Sequence, residues 1–183
     1  MGIVRLIARA TVGGFFVGHG LQKLAGWFGG HGPEGTGQFF EQVGLRPGRE
    51  QALVAGTAEA GGGALLALGL ATPAAVAALT AVMVGAVRHV HWRNGPWATD
   101  GGWELHAIVV AALGALAESG PGPLSLDAAL GIERRGSAVA LGALAAGAAG
   151  SLAASELASR RPVPGRRREQ GLIEAEEPVA AAS

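Results

Sequence analysis

Five apolar runs divide the chain, and each is close to the length that crosses a bilayer. They occupy residues 6–28, 51–71, 73–92, 103–118 and 137–157. The hydrocarbon core of a bilayer requires about 20 mostly apolar residues per helix, and short loops make consecutive spans antiparallel. The pattern predicts an all-α membrane protein: a four-helix transmembrane bundle, a fifth Ala/Gly-rich helix and a disordered C-terminal tail.

The composition agrees with this class and excludes several others. Hydrophobic residues make up 49% of the chain and charged residues only 15%, which is unusual for a soluble domain. The 14 basic and 14 acidic residues cancel, and no basic patch carries aromatic side chains, so we expect no nucleic-acid partner. Because cysteine is absent, disulfide exchange and thiolate–metal chemistry are excluded.

The runs predict three regions. Residues 1–133 form a transmembrane core with spans at about 6–28, 51–71, 73–92 and 103–118. Residues 134–158 form an additional transmembrane helix, although alanine favours insertion less than leucine, and a surface helix or disordered extension is the alternative. Residues 159–183 form a charged, proline-broken tail that we expect to be disordered. Between the first two spans, "GQFFEQVGL" predicts a short interfacial helix.

The first run opens with two arginines on one helix face. Arg5 and Arg9 are four residues apart, and we expect both to reach the lipid headgroups while neighbouring apolar side chains stay in lipid. A cleaved signal peptide is the competing interpretation. The lysine-bearing "HGLQKL" interrupts its apolar region, and no convincing cleavage site follows.

Polar residues lie inside or beside the runs, and alternating spans bring them to one side of the membrane. His19, Gln22 and Lys23 share a helix face, and Glu59 lies at a comparable depth in the next span, so we expect Lys23 and Glu59 to pair. A purely structural ion pair is the open alternative. The candidate polar pocket comprises His19, Gln22, Lys23, Glu59, His89, Glu104 and His106.

The histidines do not favour a metal or haem site. His89 and His91 are two residues apart, as are Glu104 and His106, so each pair points to different sides of a helix. We therefore expect no metal. The tryptophans should form an aromatic belt on the same side as the polar residues. They are Trp27, Trp92, Trp97 and Trp103.

Three short elements follow one another along the chain. The first is His19, Gly20, Gln22 and Lys23; the second is Glu59 followed by Gly61–Gly63; the third is Gly120, Pro121, Gly122, Ser125, Leu126 and Asp127. Their order resembles that in the DoxX family of small membrane proteins. The similarity extends over about residues 3–133. It implies a four-helix, multi-pass core in the plasma (inner) membrane of a prokaryote.

Two classes of function are open. The resemblance implies a membrane subunit associated with an oxidoreductase partner protein and binding a quinone in the polar pocket, with no covalently bound cofactor. The alternative is a non-catalytic membrane scaffold or small-solute permease that uses the pocket as a binding or proton-coupling site. Neither the residues nor the resemblance assigns catalytic residues or decides whether the chain is an enzyme.

Overall fold

The computed structural model describes residues 2–159, and this part of the chain is helical, with no strand. The helices are α1 (Gly2–Ala25), α2 (Gly32–Gln42), α3 (Gly48–Leu68), α4 (Thr72–Ala86), α5 (Glu104–Ser119), α6 (Leu126–Ala129) and α7 (Ser137–Ser159). The predicted all-α class is confirmed. Apart from Ser159, which ends α7, the tail expected to be disordered lies outside the described residues.

Glycine and proline set the helix ends. Gly26 has a left-handed φ of 70°, so α1 stops at Ala25 and not at residue 28 as predicted. Gly69, at φ 64°, ends α3, where Leu70 N–H donates to the Leu65 carbonyl (2.9 Å). Pro73 lies in the first turn of α4, where its missing N–H costs nothing. The predicted α3–α4 hairpin follows from these turns.

Glycines allow α1 and α3 to pack backbone against backbone. A Cβ on Gly20 would lie 2.7 Å from the Ala60 Cβ, and a Cβ on Gly63 would lie 2.6 Å from the Gly13 carbonyl oxygen. Such separations leave no room for a larger side chain at any of these positions. The two helices are therefore held by close small-residue packing, which is typical of membrane helices.

α7 packs beside α4 through a face of small residues. Gly147 lies against Thr80, and a Cβ on Gly85 would lie 3.3 Å from the Ser151 hydroxyl, so the two helices run in the same direction. α5 lies beside both, and Gly136 N–H donates to the Glu118 carbonyl (2.9 Å) where α7 begins. α4 and α5 are therefore antiparallel, and the late halves of α4 and α7 meet the early half of α5.

Two helices are long and apolar enough to cross a membrane by length and composition. They are Thr72–Asn94, which is α4 with its continuation, and Ser137–Ala158 in α7. Of the other expected spans, α5 has only 16 residues, and α1 and α3 carry charged side chains. Large apolar side chains such as Ile7, Val54, Ile108 and Leu141 are exposed on several helices, as lipid contact requires. Whether four or five helices span the bilayer stays a prediction.

Candidate functional site

Lys23 and Glu59 form the first polar group, between α1 and α3. Lys23 Nζ donates to Glu59 Oε2 over 2.6 Å, and the Glu59 side chain is only 5% exposed. Lys23 Nζ also lies 3.4 Å from the His19 carbonyl oxygen. A Cβ on Gly56 would crowd the Lys23 Cβ at 3.1 Å, so this glycine allows the lysine to pass close to α3. The expected ion pair between the two helices is confirmed.

His19 and Gln22 connect this pair to the loop after α1. His19 Nδ1 donates to Gln22 Oε1 (3.0 Å), and Gln22 Nε2 donates to the Phe28 carbonyl (3.2 Å). Phe28 has a φ of 53°, an uncommon backbone conformation for a residue other than glycine. Gln22 therefore holds a strained loop, while His19 is exposed at the edge of the group.

Of the remaining predicted residues, His89 lies in the π-helical turn Val87–His91 after α4, and Glu104 and His106 lie on α5. His89 Nε2 lies 2.9 Å from the Ser155 hydroxyl of α7, whereas His91 Nδ1 donates to the Gly101 carbonyl (2.6 Å). The two histidines thus face different neighbours, as their spacing predicts. The His91 and His106 rings are in contact, with centroids 4.2 Å apart.

The seven predicted pocket residues are therefore divided between separate groups. Within residues 2–159, no hydrogen bond or ion pair joins His89, Glu104 or His106 to the Lys23–Glu59 pair. Glu104 lies at the first position of α5, half-exposed, and its backbone N–H donates to the Pro96 carbonyl (2.8 Å). The described residues hold no group of three His, Asp or Glu side chains that could bind a metal.

A groove of about 540 Å³ lies between α4, α5 and α7. Its walls are mostly apolar, from Met83, Val84, Val87 and Leu152, and its polar groups come from Arg88 and His106. Trp92 and Trp103 stack at its edge, with ring centroids 6.4 Å apart and planes 19° apart. His106 Nδ1 is buried and has no hydrogen-bond partner among the described residues. Of the predicted residues, His106 lines this groove.

The helix directions place the tryptophans at one end of the molecule, as the predicted interfacial belt requires. Trp92 and Trp103 are in contact, and Trp27 and Trp97 are exposed in the loops after α1 and α4. Because α1 and α4 each pack antiparallel against α3, the ends of α1 and α4 lie at the same end of the molecule. Their depth in a bilayer stays a prediction.

A second polar cluster, at the opposite end, was not predicted. Arg9 is 1% exposed and donates from Nη2 to the Leu124 carbonyl (2.6 Å), so the expectation that it reaches the headgroups is wrong. Gly69, in the α3–α4 turn, leaves space for the Arg9 guanidinium, because a Cβ on Gly69 would overlap Arg9 Nη1. The sequence signal for this cluster is the Gly120–Asp127 element, which was interpreted only as part of the family resemblance.

Asp127, also 1% exposed, organises this cluster by capping α4. Its Oδ1 accepts from the Ala71 N–H (2.7 Å), and its Oδ2 accepts from the Thr72 N–H (3.0 Å) and hydroxyl (2.9 Å). Its own N–H donates to the Gly69 carbonyl (2.9 Å). A buried carboxylate at a helix N-terminus satisfies N–H groups that have no partner within the helix.

Exposed apolar helix faces, paired interior charges and close glycine packing define a helical membrane protein. Residues 4–92 match the family model DoxX, and the resemblance seen in the sequence is confirmed over this range. The match begins in α1 and ends at Trp92, directly after the π-helical turn. The Gly120–Asp127 element and α7 lie outside the matched range. No curated protein and no solved structure matches the chain significantly.

Proposed function

We propose that the protein is a plasma-membrane subunit of an oxidoreductase assembly and that it binds a quinone in the groove between α4, α5 and α7. The observation that carries the proposal is the buried, unpartnered Nδ1 of His106 in a mostly apolar groove edged by stacked tryptophans. A buried polar atom without a partner is destabilising, so it is a natural position for a ligand's hydrogen-bonding group.

The groove has the chemistry that a quinone ring requires. A quinone is flat, carries carbonyl acceptors and has an apolar tail. Trp92 and Trp103 offer flat surfaces, His106 and Arg88 offer polar hydrogens, and Met83, Val84 and Leu152 offer an apolar wall. The volume of about 540 Å³ falls within the range of small-molecule sites, roughly 300–1,000 Å³.

The histidines support proton exchange at this place. When bound, a quinone supplies two-electron, two-proton redox chemistry, and the electrons pass to or from the partner protein. The His106 imidazole lies against His91, whose Nδ1 donates to the Gly101 carbonyl in the loop before α5. Because each imidazole has one nitrogen that can donate and one that can accept, the two rings in contact provide a route for a proton between the groove and the loop.

Cross-linking with an azido-quinone tests the proposal on the full chain in lipid nanodiscs. We expect the label to map within residues 83–110 by peptide mass spectrometry and to be displaced by a short-chain quinone. The His106→Ala variant should require roughly ten-fold more quinone for the same labelling, since one hydrogen bond to a ligand contributes about 1.4 kcal/mol. His31→Ala, in the loop before α2, is the matched control and should label normally. Labelling that is unaffected by competitor and by His106→Ala would contradict the proposal.

A scaffold or permease without redox chemistry is the second candidate, and the Lys23–Glu59 pair favours it. Each of these charges already has its partner, so the pair can serve packing alone. Affinity purification from native membranes separates the two candidates. Co-purification of quinone and of a protein with a redox cofactor supports the oxidoreductase assembly, whereas the recovery of neither supports the second candidate.

A further inference from the structure

Arg9 lines a second groove, of about 450 Å³, at the end of the molecule opposite the groove proposed for the quinone. Its walls come from α1, the end of α3 and the segment that leads into α6. They include the apolar side chains of Leu6, Leu68, Leu124 and Leu126. Leu68 and Leu124 are each 55% exposed, so the groove opens on the outer, apolar surface of the protein.

Arg9 contributes a buried charge that is only partly satisfied. One nitrogen, Nη2, donates to the Leu124 carbonyl, while Nε and Nη1 are buried without a hydrogen-bond partner in the described part of the chain. A guanidinium stays charged at any physiological pH, so the protein cannot relieve this burial by losing a proton. Burying such a group with donors unused is strongly unfavourable.

Two charged side chains near Arg9 act on it without a direct contact. Asp127 favours its charged form through space, and Arg5 opposes it. The two Asp127 oxygens are occupied by the N-terminus of α4, and no ion pair joins Asp127 to Arg9 among residues 2–159. Arg5 Nη1 donates to the Ser119 carbonyl (2.7 Å). Neither Asp127 nor Arg5 therefore supplies a hydrogen-bond partner for Nε or Nη1 of Arg9.

We propose that this groove binds an oxyanion, the phosphodiester of a membrane lipid, with the phosphate oxygens on Arg9 Nε and Nη1 and an acyl chain along Leu68, Leu124 and Leu126. Guanidinium donors match phosphate oxygens in number and geometry. The apolar walls next to the charge fit a lipid better than a free ion. Because the nitrogens are covered, binding requires a small outward shift of the segment at Leu124–Leu126.

Native mass spectrometry of the full chain in neutral detergent tests the site with three probes. The probes are a phosphatidylglycerol, a diacylglycerol with the same acyl chains, and inorganic phosphate. We expect retained phosphatidylglycerol and little diacylglycerol. If inorganic phosphate at millimolar concentration displaces the lipid, a free oxyanion binds the same site. This result would support an oxyanion site at Arg9.

Three variants distinguish specific binding in this groove from nonspecific binding of lipid to the protein surface. Arg9→Gln should weaken phosphatidylglycerol binding about ten-fold or more, since charge-assisted hydrogen bonds are lost. Leu68→Trp fills the groove from an exposed position, so it tests the site even if Arg9→Gln does not fold. Arg49→Gln removes an exposed arginine elsewhere and should bind normally. Equal lipid retention in all variants, or equal retention of diacylglycerol, would overturn the proposal.

Discussion

Lys23 Nζ and Glu59 Oε2 lie 2.6 Å apart and join α1 to α3. Reversing one charge leaves two like charges in contact. We expect Lys23→Glu to destabilise the protein by about 2–3 kcal/mol, less than for a fully buried pair because the Lys23 side chain is 22% exposed. The double exchange Lys23→Glu with Glu59→Lys should recover part of the loss.

The unfolding midpoint in detergent and the amount of protein in the membrane both report this effect. The exposed pair of Arg49 and Glu34, also 2.6 Å apart, is the matched control. Reversing Arg49 alone should change stability by less than about 1 kcal/mol. If the double exchange at Lys23 and Glu59 is no more stable than the worse single variant, the direct pair does not contribute as described.

The helices and the Lys23–Glu59 pair could be predicted because they depend on local patterns. Apolar runs of membrane length, the glycine and proline punctuation, and the four-residue spacing of His19 and Lys23 all lie in the chain itself. The matched depth of Glu59 follows from counting residues along an antiparallel hairpin. These arguments need no knowledge of which helix neighbours which beyond consecutive elements.

The division of the predicted pocket could not be read in the same way. To place His89 and His106 relative to Lys23, one must know which faces of α1, α4 and α5 point towards each other. The hydrophobic periodicity of a sequence does not give the rotation of a helix about its own axis. Arg9 was missed for a related reason. Its burial depends on contact with Gly69 and Leu124, which are distant in sequence and meet it only once the α3–α4 turn and the α5–α6 connection are in place.

Asp127 predicts a second stability effect, at the start of α4. Asp127→Asn keeps the side-chain shape but places an amide donor where the carboxylate accepts from the Ala71 and Thr72 N–H groups. We expect a loss of about 1–3 kcal/mol because buried donors are left without partners. Thermal unfolding in detergent measures it. Asp100→Asn, in the exposed loop before α5, should stay within about 0.5 kcal/mol of the native chain, and an equal loss there would show that the cap has no special role.

Two adjacent glycines of α1 give opposite predictions for the same substitution. A Cβ on Gly13 would overlap the backbone of Gly63 and lie 2.8 Å from the Ala67 nitrogen, whereas a Cβ on Gly14 meets no atom within 4 Å. Gly13→Ala should therefore destabilise the protein by roughly 1–3 kcal/mol through forced separation of the helices. Gly14→Ala should stabilise it by about 0.5–1 kcal/mol, since alanine is the better helix residue. Similar midpoints for both variants would contradict the close packing of α1 on α3.

The basic residues predict the orientation of the chain once α7 is considered. Outside the helix interiors, Arg5, Arg134 and Arg135 lie at the end where α1 begins. Arg9 is not counted with them, because it is buried in protein. Arg46, Arg49, Arg88 and Arg93 lie at the opposite end. Four against three gives almost no bias by the positive-inside rule.

If α7 crosses the membrane, the five tail arginines, Arg160, Arg161, Arg166, Arg167 and Arg168, join the second end and make it nine against three. Because α7 runs parallel to α4, its end lies beside His89, as the contact with Ser155 shows. We then expect the N-terminus outside and the C-terminus in the cytoplasm, with the groove between α4, α5 and α7 opening towards the cytoplasm. Reporter fusions at residue 136 and at the C-terminus measure this. An external signal at residue 136 with a cytoplasmic signal at the C-terminus supports the orientation, and the reverse pair contradicts it. Cytoplasmic signals from both would mean that α7 does not cross.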